Sequence, residues 1–200
     1  FGRYRKILER VLTHPNCRQI VCWSHASART FLEGLDSDGF AHKVRVVHYG
    51  GFTRSFTKPP SDGIVRLAFV GTGTGRDQFG TKGGPEVLEA FKLLMRRYDN
   101  LKLLIRSAVP PKVQRECEGL RGVRILAKPV SRSEYEHELQ RADIAVLPFH
   151  LTTPQTLLDA MSFGLPIVGR ASWANPEYVD DGRTALLIPP SRHVPYYWRN

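Results

Sequence analysis

Short apolar runs alternate with amphipathic segments over most of the chain. From residue 64 onward the apolar runs are VRLAFVG, LKLLIRS, VRILA, DIAVLPF, PIVGR and TALLIPP. Each has the length and near-continuous hydrophobicity of a strand that is buried on both faces. Between them, residues 85–98, 111–119, 131–143 and 154–164 have helical spacing or helix-start signals. The alternation predicts an α/β fold, a doubly wound parallel sheet of Rossmann-like type.

Local signals predict where two of the helices begin. Pro85 suits the first helical position, where its missing N–H costs nothing. The segment from Ser131 contains two overlapping capping boxes, in which Ser131 pairs with Glu134 and Ser133 with Glu136. A capping box satisfies free backbone N–H groups, so a helix is predicted to begin at this segment.

The first 60 residues have a different organisation and are predicted to form a peripheral piece. Helices are predicted over 3–12 and 26–35, and short strands over 18–24 and 43–48. The polar segment 53–63 contains two prolines, which is typical of a linker or a domain edge.

The charge is also uneven along the chain. The formal net charge is +10, from 29 basic and 19 acidic residues, and residues 1–60 hold 10 of the basic but only 4 of the acidic ones. A basic first segment favours an anionic partner, namely a membrane surface, a phosphorylated substrate or nucleic acid, or it is simply a solvated surface. No motif of the common DNA- or RNA-binding modules is present, so nucleic acid is not predicted as a partner.

Composition narrows the protein class further. No run of 18 apolar residues is present, so no membrane-spanning helix is predicted, and the start lacks the apolar segment of a signal peptide. Cys17, Cys22 and Cys117 have no metal-ligand spacing and are predicted to be inert thiols in a reducing compartment. The seven histidines have no such spacing either, so no metal site is predicted. Because the chain begins at Phe1, we expect it to be a fragment of a longer protein.

In a doubly wound sheet, ligands bind beyond the carboxyl ends of the strands. The loop after VRLAFVG is rich in glycine. It begins at Gly71, Thr72 and Gly73, and it carries Arg76 and Lys82. Glycine lets backbone N–H groups approach an anion, and the basic side chains supply the countercharge. The P-loop string and the dinucleotide fingerprint G-x-G-x-x-G are absent. The loop is predicted to bind phosphate, with a merely glycine-rich surface loop as the alternative.

The loop after DIAVLPF leads into a helix whose start faces the same crevice. Thr153 is a good N-cap and Pro154 a good first residue, so free N–H groups such as that of Gln155 are available to a phosphate. Asp159 lies further along this helix, where its carboxylate either accepts hydrogen bonds from ribose hydroxyls or simply faces solvent. After PIVGR, Glu177 begins a short helix, where an acid is usually a partner of the helix dipole.

These loops, in this order, resemble the C-terminal domain of the retaining GT-B glycosyltransferases of family 4. The family has a glycine-rich loop that ends in Lys-Gly before a helix, matched by VRLAFVG…TKGGPEVLEAF. Its Ala-Asp strand, its Glu-Ala-Met-Ala-x-Gly-x-Pro-Val helix and its Pro-Glu-x-Val-x-Asp-Gly string are matched by LQRADIAVLPF, LDAMSFGLPIV and NPEYVDDGRTALLIPP. The resemblance covers about residues 43–190 and is most specific from Ala142 to Pro190.

The resemblance implies a hexosyltransferase that moves a sugar from a UDP- or GDP-linked donor, with retention of the anomeric configuration and without a cofactor or metal. It places Lys82 and Arg76 at the donor diphosphate. It places Asp159, in the position of a family glutamate, at the ribose, and Glu177 where an acid helps to shape the donor site. The remaining donor contacts fall on Gly71, Thr72, Gly73, Pro129, Val130, Thr152, Thr153, Pro154 and Gln155, with Pro129 and Val130 beside the base.

One position departs from the family pattern. In the family, a glutamate that contacts the donor sugar stands eight residues before the ribose-binding acid, and here that position is Leu151. The Thr153 hydroxyl and the backbone amides remain available to phosphate. Leu151 keeps a non-catalytic nucleotide-sugar-binding module open as an alternative. A GT-B nucleotide-sugar epimerase, which shares the fold, is a further alternative.

The resemblance also divides the chain. Residues 1–42 are predicted to be the end of an N-terminal, acceptor-side domain, and residues 43–200 to be the donor-binding domain. The acceptor, which is a sugar, a polysaccharide or a lipid-linked molecule, is expected to be bound by the missing N-terminal domain, so the isolated fragment is expected to be inactive. We expect a cytoplasmic protein whose basic surplus favours peripheral contact with an anionic membrane.

Overall fold

The computed structural model of the chain describes residues 2–71, 78–150 and 154–189. These residues form two compact units, which divide between Gly50 and Gly51. The division lies eight residues beyond the boundary predicted at residue 42, because the strand predicted over 43–48 pairs with an earlier strand of the first unit.

The first unit contains two helices and a short parallel sheet. Its elements are helix α1 (Gly2–Thr13), strand β1 (Ile20–Cys22), helix α2 (His25–Glu33), a 3-10 turn (Ala41–Lys43) and strand β2 (Val44–Val46). Ile20 of β1 lies opposite Val44 of β2. Helix α2 begins at a capping box, in which the Ser27 N–H donates to Ser24 Oγ at 2.9 Å. The buried Lys43 donates to three carbonyl oxygens at the end of α1, which a helix end leaves without partners.

The second unit is a parallel sheet with helices between its strands. Its elements are β3 (Val65–Val70), α3 (Gln78–Thr81), α4 (Gly84–Met95), β4 (Leu101–Arg106), α5 (Pro111–Glu118), β5 (Val123–Ile125), α6 (Arg132–Arg141), β6 (Ile144–Leu147), α7 (Pro154–Ser162), β7 (Ile167–Arg170), α8 (Asn175–Tyr178) and β8 (Ala185–Ile188). The strand order is β5-β4-β3-β6-β7-β8, and all neighbours are parallel. The predicted α/β, doubly wound, Rossmann-like fold is confirmed.

The sheet changes its direction of growth between β3 and β6. After β3 the chain adds β4 and β5 on one side, and it then returns to place β6 on the other side of β3. At such a switch point the loops that leave the two central strands separate and open a crevice. Beneath it, Phe69 and Leu147 of these strands belong to a buried core with Phe79 of α3 and Phe91 of α4.

The start of α6 agrees with the sequence in part. Ser131 Oγ accepts a hydrogen bond from the Glu134 N–H at 3.1 Å, as predicted. The second predicted capping box, Ser133 with Glu136, is wrong, because Ser133 lies inside the helix that Ser131 caps, and the Glu136 carboxylate pairs with Arg132 at 2.5 Å. A charged donor competes for a carboxylate more strongly than a neutral backbone N–H does.

No helix in the three described ranges is both long enough and apolar enough to cross a bilayer.

Candidate functional site

Lys82 lies in the turn between α3 and α4, beside the segment that follows β6. Only 6% of its surface is exposed, and its Nζ lies 5.0 Å from the centre of the Phe149 ring. Removal of the ammonium group from water lowers the pKa of Lys82 below its usual value of 10.5. The His150 N–H donates to the Thr81 carbonyl oxygen at 3.3 Å and ties the two segments together. The structure thus holds a cation at the switch point, where ligands of such sheets bind.

Gly83 explains how this turn comes so close to the end of β6. Its φ of +79° lies in the left-handed region, which glycine adopts without strain. A Cβ atom added here would lie 2.7 Å from the Pro148 carbonyl oxygen. In the Lys-Gly pair, the glycine therefore permits the close approach that positions Lys82.

Gly71 joins the end of β3 to the end of β4. Its N–H donates to the Arg106 carbonyl oxygen at 2.8 Å, and Arg106 Nη1 donates back to the Gly71 carbonyl oxygen at 3.2 Å. A Cβ on Gly71 would lie 2.5 Å from Ser107 Oγ, so a larger residue does not fit. Three further predicted residues of this loop lie outside the described residues: Thr72, Gly73 and Arg76.

Asp159 is buried on α7 and is held by three side chains. Its Oδ1 accepts hydrogen bonds from Arg132 at 3.2 Å and from Gln155 at 3.4 Å. Its Oδ2 lies 3.5 Å from the Tyr135 hydroxyl, which donates to it. With 6% of its surface exposed, Asp159 does not face solvent, and that alternative is wrong. A ribose hydroxyl that binds this carboxylate has to share it with these donors or displace one.

Tyr135 connects Asp159 to the carboxyl end of β4. The guanidinium carbons of Arg132 and Arg106 lie 5.6 Å and 5.9 Å from the centre of its ring. Burial of the hydroxyl, reinforced by the charge of Asp159, raises the pKa of Tyr135 well above its usual value, so the hydroxyl remains a donor at neutral pH. Arg106 and Tyr135 were not among the predicted site residues. The one sequence signal for Arg106 is its position at the end of an apolar strand.

The other predicted residues are spread along the same edge of the sheet. Pro154 and Gln155 are the first two residues of α7, and both are half-buried. Pro129, which is exposed, and Val130, which is half-buried, directly precede the start of α6. Glu177 is half-buried on the four-residue helix α8, which follows β7. Three residues of the loop before α7 lie outside the described residues: Leu151, Thr152 and Thr153.

Three side chains that were not among the predicted site residues form a hydrogen-bonded series at this edge. Arg170, the last residue of β7, donates from Nη1 to His150 Nδ1 at 2.6 Å. His150 Nε2 lies 3.0 Å from Oε1 of Glu86, which is in the first turn of α4. The sequence indicates these residues only by their position, because Arg170 ends a predicted strand and His150 directly follows one.

A cavity of about 650 Å³ lies elsewhere on the second unit. It is bounded by residues 51–56 and by α7 side chains that include Leu158 and Met161. None of the described residues among those predicted to bind the donor lines it. Helix α7 begins at the carboxyl edge of the sheet and runs away from it, so Met161 is far along the helix from that edge. The candidate site is therefore the crevice at the carboxyl edge rather than this cavity.

The fold is similar to several solved structures. HepE of Anabaena, solved in complex with UDP and glucose, matches with a TM-score of 0.66 and 14% identity over 95% of this chain and 54% of its own. WaaG, a glycosyltransferase involved in lipopolysaccharide biosynthesis, matches with a TM-score of 0.68 and 19% identity over 94% and 55%. The C-terminal domain of LpcC, a group 1 family protein from Francisella tularensis, matches with a TM-score of 0.52 and 19% identity over 63% and 68%. The chain thus spans about half the length of HepE and of WaaG.

Sequence comparison gives the family. No curated protein sequence matches the chain. The sequence profile of the family described as glycosyl transferases, group 1, matches residues 65–195, which is more than half of the chain and includes all six strands of the described parallel sheet in the second unit. The chain therefore belongs to the group 1 glycosyltransferases, and this sheet is the core of a GT-B C-terminal domain.

Proposed function

We propose that the second unit binds a UDP- or GDP-linked sugar at the carboxyl edge of its sheet, and that the longer protein transfers this sugar with retention of configuration. The position of Lys82 carries the proposal, because it places a cation at the switch point, where the ligands of such sheets bind, and a sugar nucleotide carries two phosphates. The complex of HepE with UDP and glucose supports donor chemistry of this kind.

The task of these residues is to stabilise the leaving nucleoside diphosphate. When the bond between the sugar and the phosphate breaks, negative charge develops on the phosphate oxygens. Fixed cations and N–H groups stabilise such charge better than water does, because they need not reorganise. We assign this role to Lys82, Arg76 and Thr153, together with the N–H groups of the first turn of α7, including that of Gln155.

The nucleoside is assigned to the neighbouring residues. Asp159 binds the ribose, with Gln155 able to rotate away because its hydrogen bond to the carboxylate is long, at 3.4 Å. The backbone of Pro129 and Val130 contacts the base, and the exposure of Pro129, in the loop between β5 and α6, leaves room for a planar ring. Glu177 helps to shape the donor site from helix α8, which follows β7.

Calorimetric titration of the 200-residue chain with UDP, GDP and ADP tests the proposal. We expect one diphosphate to bind, and Lys82→Ala to weaken it by about tenfold or more, as expected for a charge-assisted contact. The matched control is Lys112→Ala on α5, which removes the same charge from an exposed position and is expected to have no effect. We also expect EDTA to leave binding unchanged. Failure of the wild-type chain to bind any of the three would overturn the proposal for this domain.

A second candidate function is a binding module that no longer catalyses transfer. The observation in its favour is Leu151, which stands where the family has a glutamate that contacts the donor sugar. The two functions differ in one measurement on the full-length protein. A transferase releases the nucleoside diphosphate from its sugar nucleotide, whereas a module binds the same compound and releases none.

We further propose that the longer protein takes its acceptor on the N-terminal side and works at the cytoplasmic face of an anionic membrane. Along α1 the exposed side chains of Tyr4, Ile7, Leu8 and Val11 recur at helical spacing, and Arg5, Lys6 and Arg10 lie between them. A basic helix with an apolar stripe suits an anionic lipid surface. Co-sedimentation with anionic but not neutral vesicles is expected, and no co-sedimentation at physiological salt would exclude the contact.

A further inference from the structure

The guanidinium of Arg170 belongs to a half-buried side chain at the carboxyl end of β7. Its hydrogen bond to His150 Nδ1 is the one side-chain hydrogen bond of the guanidinium within the described ranges. Within those ranges no carboxylate lies in ion-pair distance of it, whereas the half-buried Arg66 pairs with Asp62. Holding a charge partly away from water without a counterion is costly, so an anionic partner would stabilise this arrangement.

The hydrogen bonds at His150 determine where its proton lies. A guanidinium can only donate, so Nδ1 must accept from Arg170. The proton of the neutral ring is therefore on Nε2, which donates to Glu86 Oε1 at 3.0 Å. Glu86 thus fixes the tautomer of His150, and His150 fixes the direction of Arg170. Within the described residues, this acid is separated from the guanidinium by a neutral ring, so the guanidinium has no direct ion pair there.

Arg170 and Lys82 approach the same short segment after β6. Lys82 Nζ lies over the Phe149 ring at 5.0 Å, and Arg170 contacts His150, the next residue. The backbone N–H of His150 also holds the turn that carries Lys82, through Thr81. The two cations thus converge on the segment that leaves β6, from the turn before α4 on one side and from the end of β7 on the other.

We propose that Arg170 is a further ligand of the bound sugar nucleotide, that it contacts an anionic group of that molecule, and that His150 and Glu86 are positioning residues that orient it. This inference rests on the proposed function and adds a residue to its site. A guanidinium presents paired N–H donors that match the oxygens of a phosphate or of a carboxylate. The anionic group is therefore either a donor phosphate or a carboxylate on the transferred sugar, as in a uronic acid.

Calorimetric titration of Arg170→Gln with the nucleoside diphosphate that the wild-type chain binds tests the proposal. If the group is a phosphate, we expect about tenfold weaker binding of the diphosphate and unchanged binding of the corresponding nucleoside. If it is a sugar carboxylate, diphosphate binding is unchanged. The variant then loses about tenfold in affinity for the nucleoside-diphosphate glucuronate but not for the matching glucose compound. Unchanged affinity for all of these ligands overturns the proposal.

Two sets of variants separate ligand contact from loss of folding. Arg115→Gln removes an equal charge from an exposed position on α5 and is expected to bind like the wild type. His150→Asn keeps an acceptor near the position of Nδ1 and is expected to retain most of the affinity, whereas His150→Phe loses it to the same extent as Arg170→Gln. Equal affinities of the two His150 variants would overturn the positioning role. Each variant is compared with the wild type by its thermal midpoint.

The result is distinguishable from failure of the proposed function. If Lys82→Ala weakens the diphosphate and Arg170→Gln weakens no ligand, the donor site stands and the role of Arg170 is wrong. If the wild-type chain binds no nucleotide, both proposals are wrong.

Discussion

Gly83 and Pro148 are so close that no side chain fits between them: a Cβ atom on Gly83 would lie 2.7 Å from the Pro148 carbonyl oxygen. This contact joins the turn that carries Lys82 to the end of β6. We expect Gly83→Ala to lower the free energy of unfolding by about 1–2 kcal/mol, because alanine is strained at this left-handed φ. A further loss is expected because the Pro148 carbonyl oxygen cannot move away freely from the added Cβ. The free energy of unfolding in urea measures both.

Gly182→Ala is the matched control for that variant. Gly182 has a similar φ of +74° but no atom within 4 Å of an added Cβ, so it isolates the conformational cost. Equal losses of stability in the two variants would show that the contact with Pro148 is unimportant.

Asp159→Asn is expected to lower the free energy of unfolding by about 1–3 kcal/mol, because Arg132 and Tyr135 lose a charged acceptor in a buried site. The assigned ribose contact adds a second expectation. The variant should bind the nucleoside diphosphate more weakly, yet bind inorganic pyrophosphate, which has no ribose, as the wild type does. Equal weakening of both ligands would count against the ribose contact.

Lys82 gives the stability a defined pH dependence. Its folded pKa is lowered by burial, while the unfolded chain keeps the usual value of 10.5. Below the folded pKa the burial penalty is fully present. Between the two pKa values the unfolded state binds more protons, so stability rises with pH.

The thermal midpoint of Lys82→Met measures this effect. We expect it to exceed that of the wild type near pH 7, and the difference to shrink as the pH approaches 10.5. The other titrating groups are the same in both proteins, so their effects on the thermal midpoint cancel when the two are compared at the same pH. A difference that is constant over this range would contradict the prediction.

Ser131→Ala is expected to lower the free energy of unfolding by about 1 kcal/mol, because the Glu134 N–H loses its acceptor at the start of α6. Ser133→Ala is the comparison variant and is expected to cost less, since the Ser133 hydroxyl contacts Ser131 Oγ at 3.1 Å but does not cap the helix. Urea denaturation of both variants measures the difference. Equal costs would mean that Ser131 is not the residue that caps the helix.

The sequence was sufficient for the sheet but not for the side-chain geometry at its edge. The strands from VRLAFVG to TALLIPP could be predicted because a run of apolar residues needs burial whatever its neighbours are. Helix α3 was missed because its four residues, Gln78–Thr81, lie in a glycine-rich segment without periodicity. The second capping box failed because the helix begins at Ser131, which leaves Ser133 inside the first turn, where Arg132 pairs with the Glu136 carboxylate.

The candidate site residues that were predicted belong to sequence motifs, and those that were not predicted depend on pairing between strands. Lys82 and Asp159 lie in recognisable strings. Arg106 and Arg170 come together with Gly71 and His150 only because their strands are neighbours in the sheet. Both arginines stand at the end of an apolar strand. This position is visible in the sequence, but it does not show which residues lie beside them until the strand order is known. The donor roles of Lys82, Arg76, Glu177 and the other assigned residues stay predictions.

The junction of β3 and β6 has a consequence for how the domain is assembled. Arg66 and Asp143 form two hydrogen bonds at the amino end of this junction although they are 77 residues apart, and the two strands share only the Leu67–Ile144 and Ala68–Ala145 pairs. Strand pairs that are close in sequence form faster than a junction that must close so long a loop. We therefore expect β3–β5 and β6–β8 to form first as separate halves, and their joining to limit the rate of refolding. Since the crevice lies at this junction, nucleotide binding would appear with that last, slow step.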